Sequence, residues 1–218
     1  MANLRGLFNL LKRKDEEESR IESNKNEKEE INANVEDEGM KEIKGEVKYF
    51  DNKTRSKICI DGIALLLLTK TGIIEDAINF YNVVLTPLLA DEIEKQKKDN
   101  EPEAHIILNL INAGKISVEK VYQNKDLKQY GLYDVELEIV SHFLDGNCSF
   151  ILSDDALIRT NREILKLKVI STPAFVLNLF VQKMITQEHA IDAYIILRSE
   201  KWFNDCIIDE CIRRVKSR

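Results

Sequence analysis

Five carboxylates in this chain stand where a charge is costly unless something answers it: Asp61, Glu92, Glu136, Asp154 and Asp155. Asp61 closes the apolar run SKICID, and Asp154–Asp155 follow CSFILS directly. An acid in such a place cannot lie far beyond the carboxyl edge of a sheet, where open parallel sheets bind their ligands. Glu136 is singled out by a helical wheel at ~100° per residue. Tyr133, Ile139, Val140, Phe143 and Leu144 share its side, with Leu137 at the edge, while Asp134, Glu138, Ser141 and Asp145 fall opposite. Glu92 repeats the pattern more weakly, between Leu88 and Leu89, with Ile93 at the edge and Glu94 turned outward. A carboxylate on an apolar face needs a cation, a proton or a crevice.

Oxygen-only ligands, with no His or Cys among them, suit Mg2+ or Mn2+ rather than zinc. Carboxylates around such an ion activate water and offset the charge that builds on a phosphodiester, and the ion masks the acidic cluster from the phosphate. Each acid also has a plainer reading. Asp154–Asp155 can be a helix N-cap, Glu92 can pair with Lys95 three positions on, and Glu136 can belong to a buried ion pair. Asp61 is the hardest to explain away, because no strong helix start requires it. Only the two strand-end sites are placed at a sheet edge by the sequence itself.

The elements that must position these groups alternate. SKICID reads as a buried strand. ALLLLTKTG and IEDAINFY read as helix, broken at Gly72. NVVLT (82–86) is a strand, and Thr86-Pro87 opens a helix, with Thr as N-cap and Pro at the first position. Residues 103–112 form a further helix, 116–121 a short strand, 133–146 the helix of Glu136, 148–153 a strand and ALIRTNREIL a helix. KVIST (168–172) is a strand, and Thr172-Pro173 repeats the helix start. Residues 173–216 read as two or three helices, with Trp202 and Phe203 in the last. Most strands are apolar throughout, as expected where both faces of a parallel sheet are covered. The fold class is α/β, three-layer α/β/α, with a central, mainly parallel sheet.

The chain has 218 residues, 44% apolar and 32% charged, with a net charge of −6. That balance argues against a tight, passive nucleic-acid binder, which shows a basic surplus, but not against a metal-dependent nuclease. Residues 1–14 place Leu4, Leu7, Phe8 and Leu11 at helical spacing with Lys12, Arg13 and Lys14 behind them, a short basic amphipathic helix. It reads as a tail, a helix packed on its own domain, or a peptide for a partner or membrane surface. Residues 15–50 are highly charged and read as a solvated linker or, over 15–46, a frayed helix, leaving 51–218 as the folded domain with a helical C-terminal end. No apolar run approaches the ~20 residues of a membrane span, and the start lacks a secretory layout, so the expectation is cytoplasmic. Cys59, Cys148, Cys206 and Cys211 have no C-x-x-C spacing and read as reduced structural thiols.

With these residues in view, the chain resembles the PIN-domain family over about residues 56–200. The resemblance rests on ICIDGIALLLL, on VVLTPLLADEI, on YDVELEIV, and on FILSDDALIRTNREILKLKVISTPAFVL with its Ser-Asp-Asp run. MITQEHAIDAYIILRSEKWFNDCII is similar to the helical end of some prokaryotic members. In the family an acidic residue at each of the four motifs coordinates the metal. Here the resemblance carries these roles to Asp61, Glu92, Glu136 and Asp155, with Ser153 and Asp154 touching substrate or supporting the ligands. It implies a Mg2+- or Mn2+-dependent ribonuclease that acts on RNA, toxin-like or RNA-processing. The implied protein partners are an antitoxin-like protein or complex subunit, met through the N-terminal helix, and a second copy of the chain in a homodimer. Ile63 departs from the pattern, since many members carry Ser or Asn two residues after the first Asp.

A second reading is a PIN-like module that binds RNA or protein without cutting, for which Lys70, Lys97, Arg159 and Arg162 would form a basic rim. A third, a phosphate-transfer α/β domain, fits Asp61 but finds no second Asp two residues on and no Gly-rich phosphate loop. His105, His142 and His189 have no role in the nuclease reading, and the wheel puts His142 on a solvated face.

Overall fold

The computed structural model describes residues 40, 41, 43, 55–98 and 101–217. The amphipathic helix expected at residues 1–14 lies outside the described residues, as does most of the stretch read as linker. Five parallel strands form one sheet: β1 (Lys57–Ile60), β2 (Asn82–Leu85), β3 (Ser117–Val118), β4 (Phe150–Leu152) and β5 (Val169–Ile170). Their order is β3-β2-β1-β4-β5. In the three inner strands the side chains of Ile58–Ile60, Val83–Leu85 and Phe150–Leu152 are all buried. That explains the absence of alternation in the sequence, because helices cover both faces in a three-layer α/β/α fold.

The strand order decides where a site can be. The chain runs from β1 outward through β2 and β3, then returns to the other side of β1 for β4 and β5. The reversal falls between β1 and β4, and a crevice opens beyond the carboxyl ends of strands at such a point. Those ends are Asp61 and Ser153–Asp155. The register holds to the edge: Ile60 lies opposite Leu152, and the Asp61 N–H still donates to the Leu152 carbonyl at 3.1 Å.

The helices are α1 (Gly62–Lys70), α2 (Ile73–Phe80), α3 (Pro87–Lys98), α4 (Pro102–Asn112), α5 (Asp134–Leu144), α6 (Ala156–Thr160), α7 (Thr172–Val181), α8 (Gln187–Ser199) and α9 (Asp205–Lys216). A 3-10 helix, Lys125–Tyr130, precedes α5. Gly72 separates α1 from α2 as the sequence indicates, with φ 76°, which a residue without Cβ adopts at little cost. None of these helices is long and apolar enough to cross a membrane.

Several local expectations are corrected. Helix α6 stops at Thr160, and turns carry the chain on to Lys166, where φ is 53°. Trp202 and Phe203 lie in the turn between α8 and α9, packed against the core, not in the last helix. Thr86 is fully buried before α3, but its hydroxyl has no hydrogen-bond partner, so it does not cap that helix through its side chain. Thr172 is the first residue of α7, after a Ser171 cap, and its hydroxyl is engaged elsewhere. Cys59, Cys148 and Cys211 are buried and Cys206 is exposed, all four as free thiols.

Within the stretch read as linker, Met40, Lys41 and Ile43 are helical. Ile43 is fully buried in the main core cluster, and Met40 packs against that cluster. At this point the segment belongs to the packed body, because a side chain with no exposed surface gives up its water entirely to its neighbours. Ile43→Ala is expected to lower the unfolding free energy in urea by about 2–5 kcal/mol, the cost of emptying a buried isoleucine site. A change below about 0.5 kcal/mol would mean that residue 43 is solvated in solution.

Candidate functional site

Asp61 follows β1 and begins α1. Its backbone is extended (φ −84°, ψ 170°), and one carboxylate oxygen accepts the Ala64 N–H at 2.6 Å, so it is a helix N-cap after all. The other oxygen, Oδ2, gathers three donors from the end of β4: the Ser153 hydroxyl, the Asp154 N–H at 2.9 Å and the Asp155 N–H at 3.1 Å. Only 3% of Asp61 is exposed. Of the two roles considered for Ser153, contact with substrate or support of a ligand, the hydroxyl in this structure makes the second kind of contact, with Asp61.

The Asp-Asp pair divides its work. Asp155 caps α6, its Oδ1 accepting the N–H groups of Leu157 at 2.8 Å and Ile158 at 3.1 Å. Asp154 turns toward β5: Oδ1 accepts the Thr172 N–H at 2.9 Å, and Oδ2 accepts the Thr172 hydroxyl. Asp154 therefore ties the end of β4 to the start of α7, and Asp155 stays on the Asp61 side.

Helix α5 brings Glu136, and α3 brings Glu92. Helix α5 packs on both β1 and β4, and also against α3. Gly62 lets α3 approach closely, since a Cβ there would stand 3.2 Å from the Leu89 side chain. A residue that the wheel set on the solvent side fixes the two helices to each other. Glu138 is buried, and its Oε2 accepts the Leu88 N–H at 3.0 Å, supplying the N-terminal bond of α3 that Thr86 does not. Its Oε1 accepts from Gln123 Nε2 at 3.2 Å. Ser141, also on that side, is buried and accepts the Asn124 N–H at 2.9 Å.

Electrostatics link the four acids. Burial pushes the Glu136 carboxyl up to about 8, helped by the charges of Asp155, Asp61 and Glu92. Burial pushes Asp61 up to about 6, with the Ser153 and Ala64 hydrogen bonds pulling the other way and Asp155 adding to the rise. Asp154 rises to about 7 through burial and the Asp61 charge, opposed by Thr172 and by the nearby Arg159 guanidinium. The acids from four separate segments thus share one field. Among the described residues, no three His, Cys, Asp or Glu side chains form a ready-made metal-binding group. The donor chemistry nonetheless fits a hard divalent cation: carboxylate oxygens, partly or fully buried, with Glu136 destabilised by the charges of Asp155, Asp61 and Glu92.

Other expectations change. His142 is buried rather than solvated, with Nε2 3.2 Å from Glu119 Oε2, and Glu119 also takes Lys57 Nζ at 2.7 Å. The loop between β3 and α5 covers the helix face that the wheel left open. Of the residues suggested for a basic rim, Lys70 is bound to Glu200 at 2.6 Å and Arg159 is 3% exposed, while Lys97 is exposed and Arg162 partly so. Thr172, Glu138 and Gln123 were missed. Only the Thr-Pro helix start could have flagged Thr172, and nothing local marks the other two.

Among known proteins, a family model described as a PIN domain matches residues 57–217. No curated protein and no solved structure gives a significant match.

Two outcomes follow from this geometry. Glu138→Ala strands the Leu88 N–H and is expected to cost about 1–3 kcal/mol in urea unfolding, against a few tenths for a solvent-facing glutamate on the same helix. The second concerns pH. Asp61, Asp154 and Glu136 all hold their protons more tightly folded than unfolded. The stability they contribute is therefore complete below their ordinary pKa values and is lost as pH rises through about 6, 7 and 8. With chelator present, the melting temperature should fall from about pH 5 to about pH 8.5, and Glu136→Gln should flatten the upper part of that fall. A melting temperature that climbs across the interval would contradict the raised values.

Proposed function

Because the chain belongs to the PIN-domain family, we propose that it is a Mg2+- or Mn2+-dependent endoribonuclease, cutting RNA phosphodiester bonds at the carboxylate cluster beyond β1 and β4. The family has a nuclease-type fold. The observation that carries the reading is Glu136, whose carboxyl is raised to about 8 by burial and by Asp155, Asp61 and Glu92 together. Such mutual destabilisation is relieved by a cation and has no evident structural use without one.

Asp61, Glu136 and Asp155 would hold the ion, with Glu92 as a further ligand or as a base that orients water. When bound, the ion would lower the pKa of its water and offset charge on the phosphoryl oxygens. The chain's own residues do the positioning. Ser153 Oγ and the N–H groups of Asp154 and Asp155 fix one Asp61 oxygen, which limits the directions its lone pairs can serve. The α6 N-terminus orients Asp155 through Leu157 and Ile158. Glu138 sets the helix of Glu92 against the helix of Glu136. Raised carboxyls also imply that activity climbs with pH between about 6 and 8, as the ligands shed protons.

The alternative, a PIN-like module that binds RNA or protein without cutting, draws on the net charge of −6. The capture of Lys70 by Glu200 and the burial of Arg159 weaken its RNA-binding form, since they leave less of the suggested basic rim to meet RNA. Regulation by an antitoxin-like partner, a homodimer and a cytoplasmic location remain part of the proposal.

Asp155→Asn is the cleaner of the two obvious tests. Asparagine keeps the oxygen that caps α6, whereas Asn at position 61 must set an amide N–H against one of four donors. On a mixed pool of single-stranded and structured RNAs with Mn2+, wild type is expected to cleave and Asp155→Asn to lose cleavage while melting within a few degrees of wild type. Ser153→Ala should retain cleavage, reduced roughly 10–100-fold. A folded wild type that neither cleaves nor gains melting temperature from Mn2+ would end the catalytic reading in favour of the binding module.

A further inference from the structure

One turn before the half-buried Glu136, where α5 begins, Tyr133 is 47% exposed. An aromatic side chain left in water next to charged groups gains little from the fold. The backbone here is also held in an uncommon state: Asp134, which follows, has φ 42°, a left-handed value that a residue with a Cβ adopts at a cost. That turn sets the entry of the chain into α5 and with it the direction of Tyr133.

The surroundings are built rather than loose. Leu157, two residues after Asp155, is 41% exposed and lies against Gly131, its Cδ2 4.0 Å from where a Cβ would be. Asn161 is buried and bridges the two segments, its Nδ2 donating to the carbonyls of Tyr130 at 3.0 Å and Leu157 at 2.9 Å. Gly131 has φ 75°, so a Cβ there would strain the turn that leads into Tyr133. Lys128, exposed at the same turn, holds Nζ 5.9 Å from the centre of the Tyr133 ring. An exposed aromatic residue, a nearby apolar side chain and a cation therefore stand on one braced turn, with Glu136 three residues after Tyr133 and Asp155 two residues before Leu157.

We propose that Tyr133 is a positioning residue on which an unpaired nucleobase of the RNA stacks, with Lys128 meeting the phosphate beside it. Stacking accepts any base and needs it out of a duplex, and a lysine point charge suits a phosphate that follows the base. This rests on the ribonuclease reading and extends it, since it fixes the register of the strand relative to the carboxylates.

The test uses the full chain with Mn2+ and a short single-stranded RNA, intact or with one abasic nucleotide near the cleaved bond. Tyr133→Ala is expected to raise KM about five- to a hundredfold, with a much smaller effect on kcat, and Tyr133→Phe to restore wild-type values. The abasic RNA should be handicapped by a similar factor with wild type and by little more with Tyr133→Ala, a coupling that a merely structural tyrosine does not produce. Lys128→Ala should weaken binding and make it less sensitive to salt. If wild type binds RNA without cutting it, the same variants are compared by fluorescence anisotropy, with Kd in place of KM. Unchanged KM or Kd in Tyr133→Ala, or losses that simply add between variant and abasic RNA, would overturn the stacking role while leaving the ribonuclease reading intact. A wild type that neither cuts nor binds RNA would remove both.

Discussion

Asp61 is the joint on which the rest of the arrangement turns. Its carboxylate receives an N–H from α1 and, from the end of β4, a hydroxyl and two N–H groups. Three of these four donors stitch together strand ends that are adjacent in space and about ninety residues apart in the chain. Hydrogen bonds to a charged acceptor are stronger than neutral ones, and removing the acceptor would strand the Ala64 and Asp154 N–H groups and the Ser153 hydroxyl in a dry setting, leaving the Asp155 N–H only its bond to Ser153 Oγ. The same bonds serve stability and chemistry, since whatever keeps Asp61 still also aims its remaining lone pairs.

Against that joint works a persistent repulsion. Burial raises the carboxyls of Asp61, Asp154 and Glu136, and neighbouring acids raise them further. A fold optimised only for stability would replace such a group by apolar residues of similar volume. The destabilisation is local and sits at the strand-order reversal, where α/β sheets put their ligands. Asp154 is the partial exception, because Thr172 and Arg159 answer its charge within the protein. Asp154 ties the end of β4 to the start of α7, and Asp155 caps α6.

Outside the cluster the fold spends polar groups on bracing. Glu138 closes the N-terminus of α3 from α5, Ser141 and Gln123 fasten the loop that precedes the 3-10 helix, and Asn161 ties the far end of that helix to α6. These bonds leave little slack between Glu92, Glu136 and Asp155, although none of the bracing residues need touch a metal or substrate. Ile43 extends the packed body beyond the residues matched by the family model, so the segment before β1 is joined to the domain at least at that point.

The sequence by itself settled what depends on neighbours in the chain. Continuous apolar runs marked β1, β2 and β4 as doubly covered strands, Gly72 marked the break between α1 and α2, and the acids after β1 and β4 had to lie at the carboxyl edge, because a strand end leaves them nowhere else to go. It also picked Glu136 from its apolar face. Tertiary structure decided what depends on partners far along the chain. Local spacing could not tell that Glu138, Ser141 and His142, on the supposedly wet face of α5, would be roofed by the loop after β3, nor that Asp154 would turn to Thr172 while Asp155 stayed beside Asp61. A helical wheel knows one helix and the water around it. Which polar groups are buried, and which acids must share a field, is fixed only when separate segments pack and exclude that water.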